Sequence, residues 1–194
     1  MKSKNLFLSY IIFLTSLNII ANDELTIDLG DKNNECKDIT RETLTERNFS
    51  NNFVGTFNGK KIEYTASLKE KIIYEKDDPN LPMASFFYTE YISKDSDQRP
   101  IIFSFNGGPG SASLWLHMGV LGPKVIKVPS DASDDGSPPY NIIDNKLSPL
   151  SDADLVFIDP IGTGYSRAIG CHEGEEFWGV SEDPKIIAEF IRRW

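Results

Sequence analysis

Cysteine and histidine are scarce in this chain, with 2 of each among 194 residues. Two cysteines are too few for a disulfide scaffold or a thiolate zinc site, and two histidines leave little for a His-rich metal site. Basic residues are outnumbered too: 20 Lys and Arg face 29 Asp and Glu, for a net charge of −9. That balance argues against nucleic acid as a partner, because such binding is driven by cations that displace counterions from phosphates. No internal repeat is visible, and no Gly-x-Ser-x-Gly occurs anywhere. What is present is ordinary for a globular protein, 40% apolar and 25% charged, which excludes wholesale disorder and fibrous architecture. The length suits one domain with a sizeable core, or part of a larger one.

The long apolar run lies at the start, from Leu6 to Ile20, behind Lys2 and Lys4 and ahead of the small residue Ala21. This is the pattern of a secretory signal peptide, expected over residues 1–21. A retained anchor needs about 20 uninterrupted apolar residues, and Ser9, Thr15, Ser16 and Asn18 interrupt this run. No stable membrane insertion is therefore expected after cleavage, and the mature chain is expected to be exported, either periplasmic or secreted. Removal of Lys2 and Lys4 without any acid moves the net charge from −9 to −11. An exported compartment is oxidising, so Cys36 and Cys171 could pair with each other or with partners elsewhere. Residues 22–52 are polar and without periodicity, which predicts a flexible leader. Asn48-Phe49-Ser50 within it is formally a glycosylation sequon.

From Phe53 onward the chain reads as a folded domain, 53–194. Lys61 to Tyr74 mixes β-branched and aromatic residues behind an Asn58-Gly59 turn, and Ala84 to Ile92 is aromatic and β-rich. These segments predict an antiparallel meander. Ile101 to Phe105 and Leu155 to Ile158 are short apolar runs of the kind found in strands buried on both faces of a parallel sheet. A helix is expected between them from Ser111 to Gly119, and Pro123 to Tyr140 reads as loop. The predicted class is α/β, a mixed sheet with an antiparallel N-terminal meander.

The stretch Phe105-Asn106-Gly107-Gly108-Pro109-Gly110-Ser111 sits between a strand and a helix. Glycines there let backbone N–H groups approach a ligand with no Cβ in the way, and a helix N-terminus adds positive potential. The arrangement suits a phosphate, a carboxylate or the oxyanion of acyl transfer. The phosphate version lacks its signature, since no Gly-Lys-Ser/Thr follows and Gly-x-Gly-x-x-Gly fails at Ser113. A plain structural turn is the competing reading, because Gly-Pro-Gly makes turns without any function.

Residues Asn106 to Pro123, NGGPGSASLWLHMGVLGP, resemble the motif of the serine carboxypeptidases, α/β-hydrolases of the carboxypeptidase C or cathepsin A-like kind. Pro138 to Pro160, Ile161 to Arg167 and the helix after FWGVSEDP match in the same order. The resemblance implies a partial α/β-hydrolase fold and release of C-terminal residues from peptides, with no cofactor and no metal. It further implies that the Gly108 N–H is an oxyanion donor and that Asn106 and Gly107 hold the free C-terminal carboxylate of a peptide substrate. A lysosome- or vacuole-like compartment follows if the source is eukaryotic. The chain departs from the resembled pattern at Val120, where eukaryotic members often carry a Glu that supports carboxylate binding. Other α/β-hydrolases, such as an aminopeptidase or an esterase, and an inactive remnant are the alternative readings.

Gly164-Tyr165-Ser166-Arg167-Ala168 has the look of a nucleophile elbow, but an elbow needs a strand directly before the turn and a helix directly after it. Ser166 is instead expected in a loop flanking the site, with Tyr165 as a substrate-binding wall. His117 is expected to pack or cap, and His172 to lie at the surface. Neither the nucleophile nor the base is expected in this chain. In the resembled family the elbow comes just beyond the helix on which this chain stops, so the fold is expected to be truncated before it. The last helix, with Ser181 or Asp183 as cap and Pro184 in the first turn, places Ile186, Ile187, Phe190, Ile191 and Trp194 on one face. An isolated chain of this kind is expected to be unstable and inactive, an expectation that robust peptide hydrolysis by the 194-residue product would refute.

Overall fold

The computed structural model describes residues 39, 41, 43–95, 98–107, 110–127, 138 and 140–194. The expected signal peptide, Cys36, Gly108 and nearly all of the acidic turn before Tyr140 lie outside these described residues. The compact unit that holds them runs from Glu35 to Trp194.

β1 (Asn48–Phe57) and amphipathic β2 (Lys60–Tyr74) form a hairpin through Asn58-Gly59. Both turn residues have positive φ, 49° and 79°, the pair that a two-residue turn needs to match the twist of the strands. β3 (Pro82–Ser93) adds antiparallel to β2, which completes the meander. β4 (Ile101–Ser104) and β7 (Asp154–Ile158) then pair in parallel, and β7 runs antiparallel to β3. The resulting order is β1-β2-β3-β7-β4, and the short β8 (Arg167–Ala168) pairs with β3 beside Ala84 and Ser85.

Alternation along the strands sends side chains to two cores. Ala84, Phe86, Tyr88, Val156 and Ile158 point to one face, where α2 (Glu182–Arg193) covers them with Ile187 and Phe190. Phe190 sits centrally, its ring 5.0 Å from Phe86, 4.8 Å from Tyr88 and 6.5 Å from Phe103. The apolar stripe expected on this helix is thus turned onto the sheet. Ser181 stands at the N-cap without a side-chain cap bond; its hydroxyl turns to Glu182. On the other face Tyr64, Leu155 and Phe157 meet Leu150, Leu116 and Leu121.

Several expectations need correction. The leader predicted over 22–52 ends earlier, because β1 begins at Asn48. Most of β1 is exposed; ladder bonds to β2 hold it, together with Phe53 stacked on Tyr64 at 5.7 Å and Phe57 buried at its end. β4 is not buried on both faces: it is the edge of the described sheet, and Ile101 is 40% exposed. The helix expected over 111–119 is a single α-turn, α1 (Leu114–Leu116), running into a π-helical turn, His117–Leu121. The predicted loop 123–140 contains β5 (Lys124–Ile126), which pairs with β6 (Ile142–Asp144); both strands are apolar in part, but at three residues each they are too short to show an alternating pattern.

Candidate active site

Parallel pairing of β4 and β7 makes the chain leave both strands at the same end of the sheet. In open α/β sheets ligands bind in the crevice outside such carboxyl ends. The glycine loop leaves β4 there, and the Asp159 to Tyr165 segment leaves β7 there.

Gly107 and Gly110 face open space: a Cβ built on either would meet no atom within 4 Å. Gly110 has a φ of +89°, which a side chain would strain. Asn106 is partly buried. Its Nδ2 lies 3.5 Å from the Ser111 hydroxyl, while its Oδ1 is buried with no hydrogen-bond partner among the described residues. Gly108, expected to supply an oxyanion N–H, lies outside the described residues.

Ser113 closes the loop. Its backbone N–H donates to Asp159 Oδ1 at 2.8 Å, and its buried hydroxyl donates to the carbonyl of Ile158. Burial pushes the Asp159 carboxyl above its ordinary value, and the Ser113 N–H works against that rise. The other carboxylate oxygen lies against Gly164, where an added Cβ would stand 2.1 Å from it. One side chain therefore touches both loops.

Ser166 is fully buried. Its hydroxyl donates to the carbonyl of Asp159 at 2.7 Å and accepts from the Phe87 N–H at 2.8 Å. The strand β8 follows it rather than a helix, so this serine braces a loop. Tyr165 beside it is 61% exposed, its ring 5.8 Å from that of Phe87. Trp178 holds the same loop from outside, donating from Nε1 to the Ile161 carbonyl at 3.1 Å.

His117 packs, as its place after the glycine loop suggested. It stacks on Phe157 at 4.4 Å and shares a 2.6 Å hydrogen bond between Nε2 and the Tyr91 hydroxyl. Burial lowers its pKa to about 4, which keeps the ring neutral at physiological pH, and burial raises the Tyr91 hydroxyl above its ordinary value. The expectation of a surface His172 needs correction. Its side chain is only 13% exposed, with Nε2 3.0 Å from Glu75 and Nδ1 2.7 Å from Glu176. Glu176 is a local partner, four residues on, but Glu75 lies 97 residues earlier, and no local pattern around His172 could announce it. Cys171 is exposed, and the pairing weighed with Cys36 falls on a residue outside those described.

Three residues that shape the site escaped the sequence reading. Asn145 donates from Nδ2 to the carbonyls of Val120 and Gly122 at 2.8 and 2.9 Å, and Ser148 donates to that of Leu121 at 2.7 Å. Together they satisfy the carbonyls left over at the end of the π-turn. Asp159 is the third. Asn145 and Ser148 stood within a recognised motif, but nothing local states that their partners lie more than 20 residues earlier.

A mixed sheet with both faces covered, and a glycine loop at the carboxyl end of a parallel pair, is compatible with part of an α/β-hydrolase fold. Comparison with known proteins narrows this class. The family model described as serine carboxypeptidase matches residues 63–181. The chain belongs to the serine carboxypeptidase family. It is similar to the pheromone-processing carboxypeptidase KEX1 of Komagataella phaffii, 34% identical over 82 residues, which are 42% of this chain and 12% of that protein. The KEX1 of Komagataella pastoris matches equally. Serine carboxypeptidase-like 36 of Arabidopsis thaliana is 32% identical over 90 residues, 45% of this chain and 17% of that protein. The matched stretch thus spans less than a fifth of each of these relatives.

Proposed function

We propose that this chain supplies the oxyanion- and carboxylate-binding part of an exported serine-type carboxypeptidase, which releases C-terminal residues from peptides. Gly108 offers its backbone N–H to the oxyanion that forms when the scissile carbonyl is attacked. Asn106 and Gly107 bind the free carboxylate of the substrate, and Tyr165 forms a wall of the cleft. The Ser nucleophile and the His base come from outside this chain, and the reaction uses neither metal nor cofactor. Residues 1–21 direct export and are removed, and the compartment is periplasmic, secreted or vacuole-like.

The observation that carries this reading is the chemistry of the Asn106–Gly107 corner. Gly107 leaves its backbone accessible, and the Asn106 amide has unspent hydrogen-bonding capacity although its oxygen is buried. A half-turn of that amide presents two N–H donors where the oxygen lies, which is what a carboxylate needs. Backbone amides beside it are suited to an oxyanion because they need no reorganisation as charge develops. The same corner therefore serves both anions of a carboxypeptidase reaction.

Titration of the full-length gene product with a short peptide and with its C-terminal amide tests the reading. Saturable binding of the free acid and a loss of at least tenfold in affinity for the amide are expected, and equal binding of the two would favour a different α/β-hydrolase.

A further inference from the structure

Among the described residues, the carboxylates buried in the sheet are each answered by a cation. Glu70 faces Arg47 at 2.7 Å, Glu90 faces Lys69 at 2.5 Å, and Asp154 faces Arg99 at 3.0 Å. Asp159 is different: it is partly buried, and its bonding partner is a backbone N–H, that of Ser113. A carboxylate withdrawn from water without a cation is costly. That cost falls where the two loops of the candidate site meet. The Asp159 backbone is itself held, since its carbonyl accepts from Ser166 and its N–H donates to the Phe87 carbonyl at 3.2 Å. The side chain consequently starts from a fixed point, with one oxygen on Ser113 and the other against Gly164.

We propose that Asp159 is a positioning residue that locks the Gly110–Ser113 end of the glycine loop to the Gly162–Tyr165 loop, so that the two sides of the cleft hold one spacing. The word cleft rests on the carboxypeptidase reading; the lock itself does not. Asp159 acts through the Ser113 amide and touches no reacting atom. The absence of a Cβ at Gly164 is part of the device, since a methyl there collides with the carboxylate and pushes it off Ser113.

Amide exchange followed by mass spectrometry over residues 110–116 of the full-length gene product tests this. Asp159→Ala should raise exchange in that segment at least tenfold, while Asp159→Asn, which keeps the acceptor oxygen, should stay within about twofold of the parent. Gly164→Ala, a change in the other loop, should also raise exchange over 110–116, and it carries the test if Asp159→Ala does not fold. Parental exchange in Gly164→Ala, or in a folded Asp159→Ala, overturns the lock. Asp159→Asn exchanging as fast as Asp159→Ala overturns the acceptor mechanism. Binding of the free-acid peptide, measured in parallel by calorimetry, reports on the carboxypeptidase reading separately. Fast exchange in Gly164→Ala with no peptide binding to the parent leaves the lock standing and removes the substrate.

Discussion

The two ends of the covered sheet are held by different physics. The α2 side is closed by burial: Phe190, Ile187 and the residues beneath them are apolar and touch many neighbours. The glycine-loop side has an apolar core too, with Leu116 and Leu121 on Leu155 and Phe157, but there individual polar bonds fix the chain as well, from Ser113 to Asp159, Ser166 to Phe87, Asn145 to Val120 and Gly122, and His117 to Tyr91. Apolar burial is non-directional and tolerates exchange of like volumes, whereas each polar bond leaves an orphan when one partner goes. The site is built on the directional side, where backbone groups are held at fixed positions.

Four experiments can break or sharpen this contrast. Phe190→Ala should destabilise most, by about 3–5 kcal/mol in chemical unfolding, because it removes the centre of the α2 core. Phe190→Leu should cost much less, and equal losses for the two would mean that shape rather than burial closes this side.

Next comes pH. His117 titrates near 4 when folded against an ordinary value of 6.5, so between these values the unfolded chain binds the extra proton. Its contribution is complete above pH 6.5 and is lost as pH falls toward 4, by roughly 3 kcal/mol in total. Asp159 acts in the opposite sense, since its raised value favours the protonated folded form as pH falls. The His117 share is isolated by comparing unfolding of the parent with His117→Phe at pH 7 and pH 5. A smaller acid loss in the variant is expected, and identical losses would show that the buried ring does not set the acid limit.

Ser166→Ala should cost about 1–3 kcal/mol, because the buried Phe87 N–H loses its acceptor. Peptide binding by this variant should weaken more than twofold if the Tyr165 loop shifts with it, which a titration reads directly. The smallest effect belongs to the exposed Glu189 with Arg192 and Arg193 on α2. Glu189→Ala should leave the melting temperature within experimental error, since exposed ion pairs are screened by water and salt. A measurable drop would place polar bonding on the apolar side too.

Legibility followed the same division. The meander and the two parallel strands were visible because alternation and short apolar runs are local patterns, and α2 was visible because its stripe repeats at helical spacing. The Asn58-Gly59 turn was visible because few residue pairs accept two positive φ angles. The α1 segment misled: Ser111 to Gly119 has helix-compatible residues, yet the chain adopts one α-turn and a π-turn. Gly122 is drawn so close to His117 that an added Cβ would lie 2.4 Å from its carbonyl oxygen. The Gly122 N–H donates to that carbonyl at 2.9 Å, and the carbonyls around it are taken up by Asn145 and Ser148, more than 20 residues later. The start of β1 was missed because Asn48 to Asn52 are mostly polar and exposed, and an edge strand there needs only a partner.

Local residue chemistry was enough to specify the meander, the two parallel strands and the Asn58-Gly59 turn, and to place Asn106 and Gly107 in the loop that leaves the first of those parallel strands. It was enough also to place Ser166 in a loop with no helix directly after it, where the structure puts β8. Folding in three dimensions settled which buried charges receive a cation and which receives an amide, and that Asp159 touches two loops at once. Those outcomes depend on contacts across 46 and 79 residues, as between Asp159 and Ser113 or Ser166 and Phe87. A directional bond at such separation leaves no periodic trace along the chain, because it requires only one suitable atom at each end and a fold that brings the two together.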